Sequence, residues 1–189
     1  MNEQLSKILG ILGEASARLD RLADGVPEAR WHTRPHPGAW SAAQCVAHLN
    51  ITSEAYREPV LRAMEEARAL GGGTPFRGRY RTDPLGWLLA SMVGPAPRIR
   101  GKRRGRVKTP PAFVPSDDPP GEVVVAEFRG HQAWLTETVQ RCDGLPIQKV
   151  KVVSVFVPSV SYNLYATLLI VARHQLRHLQ QAEEAARVA

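Results

Sequence analysis

The chain has 189 residues, 43% of them hydrophobic and 23% charged, which suits a soluble globular domain with a buried core. Its two cysteines, Cys45 and Cys142, are too few for a disulfide framework or a thiolate metal cluster and point to reduced thiols in a cytoplasmic protein. The net charge of +7 is concentrated: ten basic residues between Arg77 and Lys108 face one acid, Asp83, and the rest of the chain sums to −2, a near-neutral body with one basic insert.

The first segment, Glu3 to Ala23, carries Leu5, Ile8, Leu9, Leu12, Ala15, Leu19 and Leu22, a helical stripe stopped at Asp24-Gly25-Val26-Pro27. Met1 to Asp20 interleaves charges with its apolar residues, so it lacks the unbroken core of a signal peptide. Trp31 to Trp40 holds Pro35, Pro37 and Gly38 and reads as a structured loop. Ser41 is a natural N-cap, and Gln44 completes a capping box for a long helix from Ala42 to about Leu70. Gly71-Gly72-Gly73 ends that helix; Pro59 inside it is a site for a kink. These glycines lack the Lys-Ser/Thr of a phosphate-binding loop.

Thr74 to Gly121 contains more than half of the fifteen prolines and most of the basic charge. It reads as an irregular insert with one short apolar patch, Leu85 to Val93. A third helix fits Glu122 to Cys142, ended by Asp143-Gly144-Leu145-Pro146. Val150 to Val157 has strand-like composition but no evident partner, and is expected as an extended crossover. The last helix is expected from near Ser161 to about Arg187. The longest apolar run near the C-terminus, Leu164 to Ala172, is too short to span a membrane. The pattern predicts an all-α fold: a four-helix bundle with long crossover connections, forming one domain over 1–189 with the basic insert at about 74–121.

The chemistry concentrates on the last helix. His174 and His178 are four residues apart, so both rings leave one face, where they can converge on one ion. That face continues through Leu164, Thr167, Val171, Gln181 and Ala185, so the histidines lie on the stripe that should face the core. Two hydrogen-bonded core histidines would satisfy the same pattern. A metal needs a further ligand; His32 and His36 lie in the proline-bearing loop, and spacing alone leaves His48 and His131 in competition. No general base stands out: Glu54 and Glu137 are unplaced by the pattern.

Trp40-Ser41 followed by His48-Leu49, with His174, His178 and Gln181 spaced as His-xxx-His-xx-Gln, resembles the DinB/YfiT-like metal-binding bundles. The resemblance extends over nearly the whole order of helices and crossovers. It implies His48, His174 and His178 as ligands of one divalent ion (Zn, Ni or Fe), with His131 left out. It further implies an enzyme of thiol S-transferase or metal-dependent hydrolase type, acting on a small-molecule substrate or a low-molecular-weight thiol. Three protein ligands leave a coordination position open, as catalytic sites do. Gln181 is a candidate for orienting a ligand or substrate. The alternatives are a non-catalytic bundle stabilised by its metal, and a binder of nucleic acid or an anionic membrane surface through Arg98 to Lys108. A homodimer is also compatible with this reading.

Overall fold

A computed structural model describes residues 1–95, 98–99, 102–103, 109–115 and 119–187. Among the described residues there are six α-helices: α1 (Glu3–Gly25), α2 (Glu28–Trp31), α3 (Ala42–Gly71), α4 (Pro84–Met92), α5 (Gly121–Arg141) and α6 (Leu164–Arg187). Most of the Arg98 to Lys108 run lies outside the described residues; within it, Arg98–Ile99 (β1) pairs antiparallel with Lys102–Arg103 (β2).

The long helices α1, α3, α5 and α6 form the bundle, with α1 and α3 each packed against both α5 and α6. Two apolar clusters stack along its length. One contains Leu5, Ile8, Met64, Leu135 and Leu168; the other contains Leu19, Val46, Phe128 and Leu179. Following the chain, α1 and α6 enter the first cluster before the second, whereas α3 and α5 do the reverse. The order is therefore up, down, down, up. Neighbouring α3 and α5 are parallel, so the chain must return along the whole bundle between them. The connection between α3 and α5 makes that return.

Local chemistry sets the ends. The Ser41 hydroxyl accepts from the Gln44 amide at 3.1 Å, and the Gln44 side chain accepts from the Ser41 amide at 3.3 Å, the expected capping box. Gly72 takes the left-handed conformation at φ 54°, which ends α3. Helix α3 runs through Pro59, although this residue has no N–H to offer the preceding turn. Glu28 of α2 accepts from the Gly121 amide at 2.9 Å, placing a carboxylate at the N-terminus of α5.

Two expectations need correction. The extended segment is paired: Lys151–Val153 (β3) forms an antiparallel ladder with Ser161–Asn163 (β4). The residues assigned to the start of the last helix are that partner strand, and the helix begins at Leu164. The patch in the insert forms α4, whose Ala90 packs with Tyr162 of β4 and with Ala166 and Ile170 of α6. Gly86 permits this approach, because a Cβ there would lie 2.4 Å from the Cβ of Ala166. Among the described residues, no helix is long and apolar enough to cross a membrane.

Candidate metal centre

The antiparallel pairing of α3 and α6 brings His48 opposite His174 and His178, near the junction of the two apolar clusters. The capping box fixes where α3 starts, and therefore the register that puts His48 on the inner face two turns later. The Nε2 atoms of His48 and His174 are 3.3 Å apart. Ring centroids are 4.5 Å apart for His48 and His178, and 4.4 Å for His174 and His178. One ligand atom from each residue falls within 4.8 Å of the others.

The cluster is built for neutral rings. His48 is 1% exposed, His174 9% and His178 8%. Burial lowers the pKa of His48, against an opposing hydrogen bond to the Phe113 carbonyl. Burial first, then the neighbouring imidazoles and Arg177, hold His174 and His178 well below the ordinary histidine range. The Gln181 side chain works the other way on His178. The buried Nδ1 of His178 nevertheless has no hydrogen-bond partner among the described residues.

A second contact selects the tautomer of His48. Its Nδ1 donates to the backbone carbonyl of Phe113 at 2.7 Å, so in the neutral ring Nε2 carries the lone pair that faces His174. This is the outer-shell arrangement of a metal-ligating histidine. Two nitrogens bound at 2.0–2.1 Å to one tetrahedral ion would lie about 3.4 Å apart, close to the spacing of His48 and His174. The donor set could hold a divalent ion. Aromatic rings wall it: Trp40 is 4.9 Å from the His48 ring and 5.9 Å from His178, and Phe156 is 5.9 Å from His174. Phe113 packs on Phe156 at 4.6 Å.

The other sequence candidates lie elsewhere. His131 stands beside Arg57 at 3.5 Å and Glu54 at 3.9 Å. His32 contacts Glu28 at 3.2 Å, and His36 the Pro37 carbonyl at 3.1 Å. Glu54 pairs with Arg57, and Glu137 with Arg141, both at exposed positions. Sequence reasoning missed Phe113 and Phe156. A main-chain acceptor leaves no trace in residue type, and Phe113 sits in a proline-rich stretch that gave no helical or strand pattern. Trp40 carried a signal as part of Trp-Ser; the structure shows that the serine caps α3 while the tryptophan covers the histidines.

A family model for the DinB superfamily matches residues 11–182, and the chain belongs to that superfamily. Comparison with curated proteins gives no match, and neither does comparison with solved structures.

Proposed function

We propose that this DinB-superfamily chain is a metal-dependent enzyme, with one divalent ion (zinc, nickel or iron) held by His48, His174 and His178. Its reaction is of thiol S-transferase or hydrolase type, on a small-molecule substrate. The observation that carries this reading is the convergence of three neutral imidazoles, with the Nε2 atoms of His48 and His174 at 3.3 Å. Neutral ligands leave the full charge of the ion uncompensated, so when bound it supplies a Lewis acid that lowers the pKa of an adjacent thiol or water.

The chain's own residues prepare that chemistry. The Phe113 carbonyl holds the His48 ring in one tautomer and orientation. Trp40, Phe113 and Phe156 exclude water and lower the local dielectric, which strengthens every charge interaction inside. A thiol suits such walls, because sulfur makes favourable contacts with aromatic edges. To Gln181, one turn beyond His178 and in contact with its ring, we assign the role of orienting an incoming group.

The near-complete burial of His48 favours a second reading, an enclosed ion that only stabilises the bundle. The two separate on cobalt-loaded protein titrated with 2-mercaptoethanol. A saturable change in the visible and near-ultraviolet absorption supports an open position; a spectrum indifferent to the thiol supports the structural ion.

A further inference from the structure

A cavity of about 560 Å³ opens beside α6, lined by none of the three clustered histidines. Tyr165, Leu169 and Arg173 line it, each four residues from the next. Arg173 directly precedes His174, so on a helix it points about 100° away from the histidine face. The opposite wall is the extended stretch Arg79-Tyr80-Arg81, with Trp87 and Ser91 of α4 closing the third side. Among the described residues, three guanidinium groups and no carboxylate line this space, and Glu3 stands outside the lining within electrostatic reach of Arg79.

The walls are fixed in place. In an extended chain, residues i and i+2 share a side. Tyr80 is buried, and Arg79 and Arg81 flank it on the opposite side, exposed. Gln4 clamps this stretch: its side-chain carbonyl accepts from the Tyr80 amide at 2.7 Å, and its side-chain amide donates to the Tyr80 carbonyl at 2.9 Å. Asn163 donates to the Arg81 carbonyl at 2.8 Å, and the Tyr80 ring stacks on Tyr165. Arg173 spends one nitrogen on the Ala90 carbonyl at 2.9 Å, which anchors the head and leaves its other donors available. The Tyr165 hydroxyl accepts from Gln4 at 3.3 Å and keeps its own proton to donate. Trp87 is 63% exposed although it is the largest side chain of the docked helix.

We propose that this cavity binds a phosphorylated aromatic or heteroaromatic small molecule, with the phosphate among Arg79, Arg81 and Arg173 and the ring on Trp87. Guanidinium forks match phosphate oxygens, and three positive charges match a dianion better than a single carboxylate. An exposed indole offers a flat platform for a ring. The volume suits a ligand of that size. The site is independent of the metal centre and of the reaction proposed for it.

Titration calorimetry on the full chain, at low salt, tests this with phenyl phosphate, inorganic phosphate and benzoate. Phenyl phosphate should bind saturably at one site, about tenfold or more tighter than either fragment anion. Arg81→Gln, at an exposed position, should weaken it by about tenfold or more, as expected for loss of a charge-assisted hydrogen bond. Trp87→Ala should bring phenyl phosphate down to the affinity of inorganic phosphate. Dialysis against a chelator should change none of these values. Absence of saturable binding, benzoate as the tightest ligand, indifference to Arg81→Gln, or binding lost with the chelator would each overturn the assignment. Unchanged circular dichroism of the variants makes either result decisive.

Discussion

The Nδ1 of His48 donates to the main-chain carbonyl of Phe113 across 65 residues of sequence, at 2.7 Å. The contact ties the end of the long insert to the histidine cluster, and the Phe113 ring, packed on Phe156, holds the carbonyl there. Truncating that ring should loosen the hydrogen bond without removing a ligand. Phe113→Ala is therefore expected to weaken metal affinity by about tenfold or more while leaving the stoichiometry at saturation unchanged. Competition with a chromophoric chelator reads the affinity; an unaltered value would show that the insert does not support His48.

Acid should act on the same rings. Protons compete with the ion for three imidazoles, so metal should leave as the pH falls through about 6.5 and below. The metal-free protein should also lose stability in this direction. The folded-state pKa values of His48, His174 and His178 are lowered, so below the unfolded value the unfolded chain takes up protons that the folded chain refuses. Stability is thus greatest above about pH 6.5 and declines on acidification toward the depressed folded values. Urea midpoints of chelator-treated protein at pH 7.5 and 5.5 measure it; equal midpoints would contradict the assigned burial.

Gly86 is required by packing. An added methyl would meet the Ala166 Cβ at 2.4 Å and the Asp83 carboxylate at 2.7 Å. Gly86→Ala should cost about 1–3 kcal/mol, typical of overpacking, through loss of the α4–α6 contact. Metal content should be kept, because the histidines lie on another face of α6. Urea unfolding together with elemental analysis distinguishes these outcomes.

Gln175 is 1% exposed, and both polar atoms of its amide have no hydrogen-bond partner among the described residues. Replacing it by Met, of similar volume, should stabilise the protein by about 1–3 kcal/mol, the usual penalty of an unmet buried polar group. A lowered melting temperature for Gln175→Met would instead mean that the amide is engaged in the working protein.

The parts of this structure legible in the sequence are those set by local chemistry. Ser41 and Gln44 announce the start of α3, Gly72 announces its end, and the four-residue step from His174 to His178 announces a shared face. The β3–β4 ladder was not legible, because Ser161 to Asn163 prolong the helical pattern of the segment that follows them. The meeting of His48 with His174, 126 residues apart, has no expression in spacing; the short Trp-Ser and His-Leu motif pointed to it by resemblance. Of the basic insert, composition conveyed the charge, but not that Arg79 and Arg81 turn toward Arg173 of α6.

The central claim is that three particular histidines hold one ion. Elemental analysis of protein purified without an affinity tag, alongside four single variants, tests it most directly. About one equivalent of zinc, nickel or iron is expected in the parent and in His131→Ala, and a strong loss in His48→Ala, His174→Ala and His178→Ala, with folding checked by circular dichroism. A parent without metal even after incubation with excess ion, or a His131→Ala variant that loses it while His48→Ala does not, would contradict the account.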